Sequence, residues 1–185
     1  MLSLDPLNFE YLQETSWSEV FGYWRENEAH QARWSEHYTN LGFASWDEWR
    51  SNHVAPLTLD SRAWTLYRVV NPLQSIPDWY GGPFVSWKKQ YYGDKDSLTF
   101  AELAQLPDIQ QNPVIKELAA QFPVSTSLIG LVQNDRVVIL EGMHRCCALA
   151  LLASHGQHVT TNITIALTDF SGDSIPFLDS RKKNP

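Results

Sequence analysis

The stretch VVILEGMHRCCALALL, Val137 to Leu152, places an acid, a glycine, a histidine and an arginine between an apolar run and a small-residue, helix-favouring run. That order is a strand, a turn on Gly142 and a helix opened by Met143, His144 and Arg145. A helix N-terminus presents unpaired N–H groups and the positive end of the dipole, so a phosphate or carboxylate can sit there without dedicated cations. Positive side chains in the same turn oppose the dipole, so His144 and Arg145 require something negative nearby. Two partners fit. Glu141 can close a structural salt bridge to Arg145 or His144. Alternatively Arg145 grips a ligand phosphate bidentately, His144 donates to it or to a leaving group, and Glu141 holds a metal or a substrate hydroxyl, with Gly142 permitting close approach.

Other constellations carry less. Glu26, His30, Arg33 and His37 fall at i, i+4, i+7 and i+11 along one helix face; two turns separate the histidines, too far for a shared metal without a third element, so the line reads as a solvated face. His155 and His158 flank Gly156 at a helix end, where an imidazolium meets the negative dipole end. His53 has no partner visible in the sequence. Cys146 and Cys147, the two cysteines, are adjacent; on a helix they diverge and do not bridge, and buried inert thiols are expected. Trp79, Tyr80 and Trp87 suit core packing or, if their loop faces the turn, stacking of a nucleobase.

Positioning this turn requires strands and helices whose signals are explicit. Ser16-Trp17-Ser18-Glu19 has the capping-box form, and Trp17, Val20, Phe21 and Trp24 follow at i, i+3, i+4 and i+7, predicting a helix that turns polar from Glu26 to His37. Ser45-Trp46-Asp47-Glu48 opens a second helix after a break at Gly42, with Trp46 and Trp49 on one face. WTLYRVV, Trp64 to Val70, reads as the first strand and stops at Asn71-Pro72. SIPDWYGGPF reads as a turn-rich aromatic loop folded back onto the body. Thr99-Phe100-Ala101-Glu102 and Asn112-Pro113 open short helices at about 100–106 and 113–121. TSLIGLV and RVVIL, parted by Gln133-Asn134-Asp135, have hairpin spacing. A helix from Met143 to about Ser154, with Gly156 as C′ residue, precedes the strand NITIALTDF.

The chain of 185 residues is 43% hydrophobic and 19% charged, suited to one globular unit with a sizeable core. Its formal charge of −7 disfavours a phosphate-tracking surface, and so DNA as a partner. No run has the roughly 20 apolar residues of a membrane span, and MLSLDPLNFE lacks the regions of a signal peptide, so a cytoplasmic protein is expected. The short basic RKKNP end reads as frayed.

The segment LIGLVQNDRVVILEGMHRCCALALL resembles the signature region of the ParB/sulfiredoxin superfamily, and WTLYRVVNPLQSI resembles its opening strand and turn. The resemblance covers about residues 64–76 and 128–167. It implies a small mixed sheet with flanking helices, and a turn and helix start that bind nucleotide or another phosphate ligand. Gly142 matches the turn glycine, Arg145 the motif arginine and His144 the residue before it. Sulfiredoxins carry a catalytic cysteine where this chain has Met143, so their reductase chemistry is not supported. Partitioning ParB proteins continue into a helix-turn-helix, which is not expected here. Members with an acid before the glycine, as Glu141 is, include small-molecule kinases such as free-serine kinases.

The fold expectation is therefore a mixed α/β (α+β) domain over 61–172, with a Trp-rich helical extension over 1–60 and a tail over 173–185. The functional expectation is phosphate or nucleotide binding at Gly142, Met143, His144 and Arg145. If the chain is an enzyme, the expectation is phosphoryl transfer from ATP or ADP with Mg²⁺. In that reaction Arg145 and the backbone amides hold the phosphate, His144 steadies the transferred group, and Glu141 serves as base or Mg²⁺ contact. The competing expectation is a non-catalytic module in which a Glu141–Arg145 pair braces the same turn and the Trp-rich helices bind a protein partner.

Overall fold

The computed structural model describes residues 7–182; the first residues of MLSLDPLNFE and the last three of RKKNP lie outside the described residues. The strands are β1 (Phe9–Thr15), β2 (Trp64–Val69), β3 (Ser125–Gln133), β4 (Arg136–Glu141) and β5 (Asn162–Asp169), and among the described residues they form one sheet in the order β1-β2-β5-β3-β4. The β5–β3 pair is parallel and the others antiparallel, giving the mixed α/β architecture expected. The β3–β4 hairpin turns on Asn134 and Asp135, both at positive φ (49° and 64°), the backbone a two-residue hairpin loop needs. Central β5 is apolar on both faces, with Ile163, Ile165, Ala166 and Leu167 all buried.

The N-terminal region departs from the helical expectation, because β1 pairs with β2 as an edge strand, with a bulge between Tyr11 and Gln13. Phe9 stacks on Trp79 at 5.6 Å and meets Tyr67 edge-on, whereas Tyr11 is exposed, so the strand buries one end of one face only. Trp64, β2 being the second strand rather than the first, stacks on Trp17 at 5.4 Å.

The single helix expected from Ser16 through His37 is two, α1 (Trp17–Glu28) and α2 (Ala32–Asn40), followed by α3 (Trp46–Val54). The break has a local cause: Gln31 is extended (φ −82°, ψ 122°), and its side-chain amide donates to the Asn27 carbonyl at 2.6 Å, satisfying an acceptor that the helix end orphans. Ser16 and Thr99 form full capping boxes, while Ser45 accepts from the Glu48 amide.

Short helices α4 (Pro72–Ser75), α5 (Val85–Trp87, running into a π turn), α6 (Phe100–Ala104), α7 (Pro107–Gln111) and α8 (Pro113–Ala120) lead to α9 (Met143–Ser154). Of these α7 was not expected; Pro107 sits in its first turn, the position proline favours. Helix α9 packs on α6 and α8 and is buried from Cys146 to Leu152.

The aromatic loop folds back as predicted. Tyr80 N–H donates to the Val137 carbonyl (2.8 Å) and the Ile139 N–H to the Tyr80 carbonyl (3.0 Å), which covers part of the β4 edge. Gly82 is required there, because a Cβ would lie 2.2 Å from the Ile139 carbonyl oxygen. Residues of the expected tail are also tied down: Leu178 is buried, its N–H donates to Pro83 and its carbonyl accepts from Val85. Among the described residues no helix is long and apolar enough to cross a membrane.

Candidate functional site

Strand β4 delivers Glu141 to the sheet end, and Gly142 turns the chain into α9 with φ 102°. Glycine is needed there for two reasons. The backbone is left-handed, and an added Cβ would lie 2.2 Å from Leu128 Cδ2. The first turn of α9 has no side-chain cap.

The cations of that turn find an internal partner. Arg145 Nη2 pairs with Glu141 Oε1, while Nη1 donates to Thr126 Oγ1 and, at 2.8 Å, to the Ser127 carbonyl. Glu141 Oε2 accepts from Asn27 Nδ2 at 3.1 Å. Glu141 is 6% exposed, and burial pushes its carboxyl up from the usual range, with the Arg145 guanidinium pulling the other way. A buried ion pair of this kind is an architectural commitment, because removing one partner strands the other's charge.

His144 takes no part in that network. Its ring meets Trp87 edge-on at 5.4 Å, and burial, with Arg33 and Arg145 nearby, lowers its pKa to about 4. It is therefore a neutral imidazole at pH 7, able both to donate and to accept.

Opposite the turn stands a wall that the sequence did not reveal. A cleft of about 920 Å³ opens between α9's first turn and the helices α1 to α3, with Trp24, Trp34, Trp49, Arg50 and His53 among its lining residues. Arg50 is 3% exposed, and its Cζ lies 4.6, 5.3, 5.6 and 4.0 Å from the ring centroids of Trp24, Trp34, Trp46 and Trp49. Cation–π attraction, at about 0.5–2 kcal/mol per ring, offsets part of the cost of burying the charge. The Arg50 Nη2 pairs with Glu28, which also accepts from Trp46 Nε1 at 3.3 Å.

Arg50 Nη1 lies 3.1 Å from His53 Nδ1. Arginine only donates, so His53 accepts on Nδ1 and carries its proton on Nε2, with a backbone hydrogen bond to Leu178. Burial and the Arg50 charge lower the His53 pKa to about 3, and the same two causes lower that of His37. Four buried donors on this wall have no acceptor: Nε1 of Trp24, Trp34 and Trp49, and Nε of Arg50. Each unpaired buried donor costs about 1–3 kcal/mol.

The signal for this wall was present in spacing. Trp46, Trp49, Arg50 and His53 fall at i, i+3, i+4 and i+7 of α3, a core-facing stripe with two of its positions polar. Asn27 and Glu28 likewise continue the stripe of Trp17, Val20, Phe21 and Trp24 on α1.

The other candidates are scattered. Glu26 and His30 are exposed, while Arg33 and His37 line the cleft. Among the described residues no group of three or more His, Cys, Asp or Glu is arranged for a metal. Of the aromatic-loop trio, Trp87 lines the cleft, whereas Trp79 is buried against Phe9 and Tyr80 lies under Arg136. Cys146 and Cys147 are free and fully buried, with burial raising both thiols far from reactivity. His155 and His158 are exposed beyond α9. Trp24, Trp46 and Trp49 face inward. Comparison with known proteins gives no match to any family model, curated protein or solved structure.

Proposed function

We propose that the chain binds a small molecule carrying a phosphate, with a nucleotide as the ligand class that suits the cleft. The observation that carries this reading is the uncapped first turn of the twelve-residue helix α9, opening on a cleft of about 920 Å³ with aromatic walls. Free amides and the dipole favour an anion there. Exposed Arg33 and neutral His144 border the same space, and Trp87 offers a flat ring to a base. The volume lies within the range of small-molecule sites. The resemblance of Val137–Leu152 to the ParB/sulfiredoxin superfamily supports the same reading.

Within it, Arg145 shapes the turn rather than gripping the phosphate, since its guanidinium is engaged by Glu141, Thr126 and Ser127. The donor set does not fit Mg²⁺ held by Glu141: one carboxylate oxygen takes Arg145 and the other Asn27. With both oxygens engaged, Glu141 is not free to act as a base either. The Glu141–Arg145 pair also favours the second reading, a non-catalytic module with a braced turn. The two readings share the scaffold and differ over whether the cleft takes a ligand.

Equilibrium binding of ATP and ADP, with and without Mg²⁺, to the wild type, Arg33→Ala and Trp87→Ala separates them. Binding that weakens about tenfold in each variant, the equivalent of one charged contact, supports the nucleotide reading. Absence of binding to the wild type sinks it and leaves the braced module.

A further inference from the structure

We infer that the segment from Asp173 to Ser180 is a strap that gates the cleft, closed with Leu178 seated beside residues 83–87 and open when that seat is vacated. The gate's purpose rests on the ligand reading of the cleft, while its motion is measurable without any ligand.

The strap leaves a firm root. Past β5, Phe170 is buried under the Arg62 guanidinium, whose Cζ lies 3.6 Å from the ring centroid, and its N–H donates to the Val132 carbonyl at 2.7 Å. Arg62 holds the Asp173 carboxylate at 2.9 Å and the Gln133 amide holds the Asp173 carbonyl at 2.7 Å. Residues 174–177 are then neither helix nor strand; Ser174 is exposed, Ile175 half-buried, and exposed Phe177 lies 4.9 Å from Lys88 Nζ.

The chain regains a hold at Leu178, a buried residue between exposed Phe177 and exposed Asp179. Its N–H donates to the Pro83 carbonyl at 2.6 Å, its carbonyl accepts from the Val85 N–H at 3.0 Å, and His53 hydrogen-bonds its backbone. A single buried side chain and a few hydrogen bonds place this seat at the low end of local stability, where lids are drawn from.

The seat controls one rim of the cleft. Leu178, Asp179 and Ser180 line it, as do Phe84, Ser86 and Trp87. Among the described residues, Leu178 supplies the backbone hydrogen bonds that tie 83–87 to another part of the chain, whereas the N–H groups of Phe84 and Lys88 bond within the loop. Trp87 in turn meets His144 of α9 at 5.4 Å. Unseating Leu178 therefore frees the rim together with the loop that carries Trp87. Asp173 and Gly82, the latter held by Met143 Sδ and the Tyr92 hydroxyl, stay in place as the fixed ends.

The test is native-state hydrogen–deuterium exchange of the full chain, resolved at the Val85 and Leu178 amides, in the wild type, Leu178→Ala and Val85→Pro. Val85 opens α5 after extended Phe84 (φ −92°, ψ 126°), where proline fits, so Val85→Pro removes the donor to Leu178 without emptying its seat. In the wild type the two amides are expected to share one protection factor, at least about tenfold below those of β5. In either variant the Leu178 amide is expected to exchange about tenfold faster still, one hydrogen bond's worth, with β5 unchanged. Protection equal to that of β5, or acceleration of β5 to the same degree, overturns the inference. ATP that associates and dissociates about threefold or more faster in the variants supports the gate. ATP binding at wild-type rates in both variants overturns the gate and leaves the nucleotide reading intact. Exchange as expected with no ATP binding upholds the strap and sinks the nucleotide reading.

Discussion

The side-chain amide of Asn27 donates to Glu141 at 3.1 Å, joining α1 to the end of β4 across 114 residues of chain. Its neighbour Glu28 pairs with Arg50, so two consecutive residues of α1 hold the two buried ion pairs that face the cleft. The Trp-rich helices are thus half of the candidate site.

Asn27→Ala leaves the buried Glu141 carboxylate one donor short. The expected loss is about 1–3 kcal/mol of unfolding free energy in urea, the cost of an unsatisfied buried acceptor. A change within error would mean that α1 and the turn are energetically independent.

Arg145→Met strands the Glu141 charge in an environment that already raises its pKa, and the expected cost is about 3–5 kcal/mol. Adding Glu141→Gln removes that charge and recovers part of the loss, a positive coupling in a double-mutant cycle. Additive effects would contradict the brace.

Gly142→Ala meets both a left-handed backbone and the Leu128 side chain. Strain of about 1–2 kcal/mol and overpacking of about 1–3 kcal/mol add to a loss of roughly 2–5 kcal/mol. Pairing it with Leu128→Ala relieves only the steric part, which denaturation of the double variant would reveal as less-than-additive loss.

How much was legible follows from how local each signal is. Capping boxes at Ser16 and Thr99, the hairpin connection within Gln133-Asn134-Asp135 and the turn at Gly142 are written within a few residues, and each forms, with Gln133 taken into β3 and the loop reduced to Asn134-Asp135. The Glu141–Arg145 pair was legible as one of two alternatives because the partners are four residues apart. Strand β1 was missed because an edge strand buries little, and its aromatic alternation was overshadowed by the capping box that follows it. The Arg50 cage was missed because its members come from three helices, and periodicity marks a face without naming what it faces.

Stability depends on pH through buried His53 and partly buried His144. The folded chain keeps His53 neutral down to about pH 3 and His144 down to about pH 4, whereas in the unfolded chain both take a proton near their usual 6.5. The unfolded state therefore binds more protons below about pH 6.5. Stability is complete above that value and falls as pH drops, by up to about 1.4 kcal/mol per pH unit for each histidine. Urea unfolding between pH 6.5 and 5 checks this, with a shallower slope expected in His144→Asn. An unchanged slope would remove His144 from the explanation.

The most direct test of ligand binding in the cleft is a melting curve of the full chain with ATP, ADP or phosphate, with and without Mg²⁺, in the wild type and Arg33→Ala. At about a hundredfold over the dissociation constant a ligand adds about 2.7 kcal/mol to native stability. A rise of that order in the wild type, reduced in Arg33→Ala, is the predicted result. No rise in the wild type with any of the three ligands would contradict it and leave the turn of α9 as scaffold alone.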